Sequence, residues 1–384
     1  MKVAFVMTAS LALTSLHRGQ FEFFQRNGIT VIALAGPGSE HELLKARGIN
    51  CLSIPIVRQI SPLKDILALV YLTFYFIQNR FDLVVVSTPK ASLLAAIAAF
   101  LTAQKKSIFI VRGRVYENET GLKYKFFKSV DKFISQLTDK TLFISQGLRD
   151  EMVSSGVVRS NKAVLLGKGS SNGVDLTKFD HKKVKEFRLS ARAELKLSET
   201  DIIIGYTGRI VHDKGIDELV KVFCKLQFLK ENLYLILQGV FEENNKVSDE
   251  TIKIIKNNNS IITKDWSQDP ERLMAAFDIF CLPSHREGFG NVALEANALG
   301  IPVIASDILG LREAVENSNT GLLFEKKNEA DLEAKLLTLI TNKEMRERLG
   351  RAGVKRAANY FSSVSVWENL LNFYKSEISS GQKT

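Results

Sequence analysis

The sequence predicts an α/β protein of two doubly wound domains in series, with a cleft between them. Three observations predict it. Short runs of branched apolar residues alternate with longer amphipathic stretches, the rhythm of parallel strands covered by helices on both faces. That rhythm runs from the first residues to Leu166 and restarts at Ile202. Between the two runs lie the flexible Gly167-Lys168-Gly169-Ser170-Ser171-Asn172-Gly173 and a charged stretch from Lys178 to Lys196, which together read as a boundary.

In the first half, strands are expected at Lys2–Met7, Thr30–Ala35, Cys51–Pro55, Leu83–Ser87, Ser107–Val111, Lys140–Ser145 and Ala163–Leu166. Most are bounded by Gly, Pro, Ser or Asp, which interrupt regular structure. In the second half they are expected at Ile202–Thr207, Leu233–Gln238, Ser260–Thr263, Ile279–Pro283, Pro302–Ala305 and Gly321–Phe324. Helices begin near Ile216, Pro270 and Asn291, and a charged one runs from Glu329 to Asn342. The expected domains are 1–175 and 176–360, with a C-terminal helix in 361–384 packing back on the first domain. Ligands of such sheets bind beyond the carboxyl ends of the strands.

Composition narrows the class. Apolar residues make up 45% and charged residues 24%, the balance of a globular protein with a large core. Cys51, Cys224 and Cys281 are far apart, which argues against a zinc site or a disulfide framework and fits a reducing cytoplasm. The opening Val3–Met7 reads as a strand rather than a signal peptide. No apolar run reaches the roughly 20 residues that span a bilayer. Residues 1–175 hold 22 Lys/Arg against 12 Asp/Glu, so the whole net charge of +10 lies in the first half. Such a half can attract nucleic acid, anionic lipid or a phosphorylated substrate, or simply be a solvated basic surface. No nucleic-acid motif is present, so no nucleic-acid partner is expected.

Two motifs carry chemistry. Gly208-Arg209-Ile210-Val211-His212-Asp213-Lys214-Gly215 follows an apolar strand and precedes a helix. Gly208 permits a tight exit and close backbone approach. The helix N-terminus favours an anion, and Arg209 and Lys214 add two cations, a set suited to a diphosphate. Taken alone, the motif also fits an ordinary strand-to-helix turn with surface cations. The second motif is Glu287-Gly288-Phe289-Gly290-Asn291-Val292-Ala293-Leu294-Glu295. It too follows a strand and enters a helix near Asn291. Its two carboxylates suit sugar and ribose hydroxyls, which donate hydrogen bonds to them. Glu295 sits among apolar neighbours, so it is expected to have a partner.

In this order, with Leu282-Pro283-Ser284, Gly300-Ile301-Pro302-Val303 and Gly310-Leu311-Arg312-Glu313, the motifs resemble glycosyltransferase family 4. These are retaining enzymes of the GT-B fold, two Rossmann-like domains. The resemblance covers most of residues 140–375. It implies that Arg209 and Lys214 bind the donor diphosphate and stabilise the leaving nucleotide. Glu287, with the amides of Phe289 and Gly290, would hold the transferred sugar, and Glu295 the ribose. Gly208, Gly288 and Asn291 complete the implied donor site. No cofactor and no metal is expected, since the cations do that task. The donor would be a nucleotide-sugar, with uridine the expected base.

The first half resembles a narrower subgroup that extends lipid-linked oligosaccharides for bacterial surface polysaccharides. Ser61-Pro62, Thr88-Pro89-Lys90 and Arg112-Gly113-Arg114 carry that likeness. It implies a polyprenyl-diphosphate-linked saccharide acceptor at the cytoplasmic face of the membrane, with Lys90, Arg112 and Arg114 as acceptor contacts. Arg112 stands where many members carry a histidine. Two stretches are candidates for a membrane surface: Lys125, Lys128 and Lys132 with interleaved phenylalanines, and Leu63–Ile77. Both also fit core-packed helices with snorkelling lysines. The alternative enzyme class is a sugar-nucleotide epimerase of the same fold, which would need acid/base residues around the sugar. The scattered histidines argue against it.

Overall fold

A computed structural model describes residues 1–380 except 60, 118 and 244. Its described residues form two compact units, Met1–Asn172 with the segment from Ser363 to Ser380, and Gly173–Ser362. The last described helix ends at Ser380; positions 381–384 lie outside the described residues.

Unit 1 begins with β1 (Lys2–Val6), α1 (Ser10–Leu16), α2 (Gln20–Arg26), β2 (Thr30–Ala35), α3 (Glu40–Ala46) and β3 (Asn50–Ser53). It continues through α4 (Pro62–Gln78), β4 (Leu83–Ser87), α5 (Pro89–Leu101), β5 (Ser107–Val111) and α6 (Gly121–Leu137). It then runs through β6 (Lys140–Phe143), α7 (Gln146–Ser154) and β7 (Ala163–Leu165). The strands form one parallel sheet in the order β3-β2-β1-β4-β5-β6-β7. β4 and β5 are buried along their whole length, which is why they read as continuous apolar runs rather than alternating ones. One core cluster packs this sheet against α4, α5, α6 and α7.

Unit 2 begins with α8 (Val184–Leu195), β8 (Ile202–Thr207), α9 (Ile216–Gln227), β9 (Leu233–Gln238), α10 (Asp249–Asn257) and β10 (Ile261–Lys264). There follow α11 (Pro270–Met274), β11 (Ile279–Leu282), α12 (Asn291–Ala298), β12 (Val303–Ser306), α13 (Leu309–Arg312) and β13 (Gly321–Phe324). α14 (Glu329–Thr341) and α15 (Lys343–Tyr360) close it. Its parallel sheet has the order β10-β9-β8-β11-β12-β13. The last helix, α16 (Ser363–Ser380), returns to unit 1 and packs on α2, where Trp367 Nε1 donates to Asn172 Oδ1 at 2.7 Å.

β1, β6 and β7 end one or two residues before the expected ends, and three other strands stop short beside or close to a proline. Pro55 and Pro283 fall outside β3 and β11, and β12 starts after Pro302. Proline has no N–H to give a ladder. The stretch read as boundary, Lys178–Lys196, contains α8, held by a buried ion pair. Arg192 is 1% exposed and its Nη2 lies 2.7 Å from Asp278 Oδ2.

Asp131 faces inward from α6 and is 8% exposed. Burial pushes its pKa up to about 7, with Arg114 pulling the other way. A carboxyl raised above its unfolded value costs nothing below the unfolded pKa. The cost grows as pH rises from the ordinary aspartate range through pH 7. Asp131→Asn is therefore expected to raise the melting temperature at pH 8 and to leave it unchanged at pH 4. Equal melting shifts at both pH values would contradict this.

Candidate active site

Each sheet reverses strand order once, and such switch points are where open α/β sheets place ligands. In unit 2 the switch lies between β8 and β11. The two sequence motifs are the loops that leave these strands. After β8, Gly208 has φ +155° and donates its N–H to Gln238 O at 2.9 Å. A 3-10 turn over His212–Lys214 leads to Gly215, whose φ of +69° caps α9.

The two loops interlock. His285 N donates to Asp213 O at 2.8 Å, and Arg286 Nε lies 3.0 Å from Asp213 Oδ2. Buried His285 places Nε2 2.8 Å from Glu218 Oε1 on α9. A Cβ on Gly215 would stand 2.0 Å from Pro283 O. Gly215→Ala thus meets both left-handed strain and a backbone clash. It is expected to cost at least about 2 kcal/mol and to abolish activity. A thermal melt within one degree of wild type would refute the interlock.

At the centre Lys214 and Glu287 meet. Lys214 Nζ is 2.5 Å from Glu287 Oε1, and Ser284 Oγ donates to the same oxygen at 2.9 Å. Both charged side chains are 16% exposed, so the pair is partly desolvated yet reachable. Tyr206, buried in β8, is close enough that the Glu287 charge adds to burial in raising its pKa. Its hydroxyl donates to Arg209 O at 2.7 Å.

The remaining predicted donor residues lie on the same two loops and on α12. Arg209 is exposed and turns to Glu242, with Nη1 3.0 Å from Oε2. Gly288 is half-buried, and the backbone of Glu287 and Gly288 packs so tightly on Gly310 that a Cβ there would lie 2.0 Å from Glu287 O. Phe289 is buried against Phe361. Gly290, with φ +70°, is the N-cap of α12, which Asn291 opens. Glu295 lies in the second turn of α12 and is half-buried. Sequence reasoning missed Tyr206, Glu218 and Glu242. The one local signal was a tyrosine inside the wholly buried run Ile202–Tyr206.

In unit 1 the switch lies between β1 and β4. Thr88, at the end of β4, has φ +73°, a strained position for a β-branched residue. Its Oγ1 accepts from Thr8 N at 2.9 Å. Arg112 follows β5 and, among the described residues, bonds neutral oxygens: Ser87 Oγ at 3.1 Å, Ser171 O at 2.9 Å and Ser171 Oγ at 2.5 Å. Enclosure lowers its pKa to about 10, so it stays charged at neutral pH. Burial, and secondly Arg112, bring the neighbouring His17 down to about 3. That ring is neutral. The other two expected acceptor cations are engaged by acids. Arg114 pairs with Glu151 and Glu117, and Lys90 lies 2.7 Å from Asp65 Oδ1. Among the described residues, no cluster of three or more His, Cys, Asp or Glu is placed to hold a metal.

Comparison with known proteins assigns a class to this arrangement. Residues 187–356 match the family described as glycosyl transferases group 1, and residues 22–178 match glycosyltransferase family 4. The chain is a glycosyltransferase, and its two parallel-sheet units have the GT-B fold. The capsular polysaccharide biosynthesis glycosyltransferase CapM of Staphylococcus aureus is 32% identical to it over 97% of this chain and 96% of that protein. An Escherichia coli UDP-Gal:alpha-D-GlcNAc-diphosphoundecaprenol alpha-1,3-galactosyltransferase is 24% identical over 83% of this chain and 81% of that protein. Among solved structures, Anabaena Alr3699/HepE in complex with UDP superposes with a TM-score of 0.79 at 19% identity, over 98% of this chain and all of that one. The chain belongs to glycosyltransferase family 4.

Proposed function

We propose that this enzyme transfers a sugar from a UDP-sugar to a polyprenyl-diphosphate-linked saccharide in capsular or other surface polysaccharide synthesis, with retention of anomeric configuration. The observation that carries this is the Lys214–Glu287 contact at the unit 2 switch point. A cation for a leaving diphosphate and a carboxylate for sugar hydroxyls stand side by side on two interlocked loops. CapM supports the polysaccharide context, the galactosyltransferase supports a lipid diphosphate acceptor, and HepE supports a uridine nucleotide.

In this reading Lys214 and Arg209 stabilise charge on the departing diphosphate, an electrostatic contribution made where charge develops. Arg209 would exchange Glu242 for phosphate. Glu287 positions the sugar together with the amides of Gly288, Phe289 and Gly290, and Gly208 allows the diphosphate to lie against backbone. Asn291 and the amides at the start of α12 border the sugar, and Glu295 takes the ribose hydroxyls. The acceptor hydroxyl attacks on the face the nucleotide leaves. Arg112, charged and with no carboxylate partner among the described residues, contacts the acceptor diphosphate. Lys90 and Arg114 reach it only by exchanging their acids.

The test is a panel of UDP- and GDP-sugars with a lipid-linked saccharide acceptor in EDTA. Transfer from one UDP-sugar, with the product anomer matching the donor, is expected. Binding without transfer, accompanied by an epimer in the donor pool, would overturn the proposal.

A further inference from the structure

α4 is apolar on both sides. Ala68, Leu72 and Phe76 are buried in the unit 1 core. The opposite stripe, Leu63, Ile66, Leu67, Val70, Phe74 and Ile77, is exposed, with Leu63 at 79%. These positions recur at three- and four-residue spacing, so they form one ridge along the helix. From Ile66 to Ile77 the helix has no charged residue. A helix apolar all round is normally buried, and a continuous exposed ridge marks an interaction surface.

The neighbouring helices extend the ridge. α5 packs against both α4 and α6. The carboxyl end of α5 exposes Phe100 and Leu101, and α6 exposes Leu122, Phe126 and Phe133. α6 also presents Lys123, Lys125 and Lys132 to solvent. Among the described residues, Lys125 and Lys132 form no ion pair. No helix of the described residues is long and apolar enough to cross a membrane.

We propose that this α4–α5–α6 face lies on an anionic bilayer leaflet, with the ridge in the acyl boundary and the α6 lysines on the headgroups. Charge selects this occupant over a second copy of the chain. A two-fold dimer through the same face would set like-charged lysines on matching surfaces, whereas anionic headgroups complement them. The inference rests on the lipid-linked acceptor of the proposed function in one respect. The N-terminus of α4 adjoins the carboxyl edge of the sheet through Lys90, which bonds Asp65 and Gln59 O. A lipid held along α4 would deliver its diphosphate to that edge.

The experiment is sedimentation of the full chain with phosphatidylglycerol-containing vesicles and with pure phosphatidylcholine vesicles. The variants are Leu67→Glu/Phe74→Glu and Lys125→Glu/Lys132→Glu, all at exposed positions. Wild type is expected to bind the anionic vesicles preferentially. The α4 pair should weaken binding on the order of 100-fold and the α6 pair on the order of tenfold. Transfer to a short-chain, water-soluble acceptor should be unchanged in both variants. Failure of wild type to bind anionic vesicles overturns the proposal, as does unaltered binding by the α4 pair. A wild-type dimer that the α4 pair dissociates, without vesicle binding, assigns the face to a second copy instead. Vesicle binding without transfer to any lipid-linked acceptor leaves the docking face standing and removes the acceptor assignment.

Discussion

Lys214→Ala is expected to lower kcat for sugar transfer by about 10²–10³-fold. The lysine is aimed at charge that grows as the nucleotide leaves. Removing it should therefore cost more in the transition state than in the ground state, and kcat should fall more than KM rises. Its partner Glu287 retains the Ser284 hydroxyl at 2.9 Å, so the fold should survive the change. Glu287→Gln separates the two roles. The amide keeps shape and hydrogen bonding to hydroxyls but loses the charge that pairs with Lys214. A Lys214→Ala enzyme with intact kcat and only a higher KM would reduce the lysine to a binding contact.

Asp278→Ala is expected to produce the largest loss of stability, about 3–5 kcal/mol. Asp278 accepts from Arg192 Nη2 at 2.7 Å, from Arg188 Nη2 at 2.8 Å and from Ile203 N at 2.8 Å. Arg192, with 2% of its side chain exposed, would be left as a buried cation facing carbonyls alone. Urea unfolding measures the loss. The replacement of both partners, Arg192→Met with Asp278→Leu, should recover much of it, because no uncompensated charge remains. A single variant within 1 kcal/mol of wild type would show that water reaches the arginine.

The parts of the fold that were legible are those in which local chemistry and tertiary role coincide. Leu83–Ser87 and Ile202–Thr207 are buried on both faces, so apolar composition alone located them. Strand ends were misread at Pro55, Pro283 and Pro302 because apolar content was weighed above the missing N–H. The charged run containing Arg188 and Arg192 read as part of a boundary because the acid that pairs with Arg192 lies 86 residues away. The same blindness to distance applies to the site. Lys214 and Glu287 are 73 residues apart, and spacing within either motif says nothing of their contact. The acceptor cations Lys90 and Arg114 were named from local sequence. Their acids, Asp65 and Glu151, come from helices that only the sheet order brings near.

The chain enters unit 2 at Gly173 and leaves it at Ser362, and the two crossings are adjacent: Val174 N donates to Phe361 O at 2.7 Å. Unit 2 is therefore an insertion within a first unit whose helix α16 is synthesised after it. On the ribosome unit 2 can fold as soon as it emerges, while unit 1 waits for α16. Until Tyr374 packs near Phe5 of β1 and Phe24 of α2, and Trp367 covers Gly19, these aromatic side chains stay open to water. That interval is when the nascent protein is most exposed to aggregation. Folding yield should therefore depend on α16 more steeply than any equilibrium measurement on the finished chain would suggest.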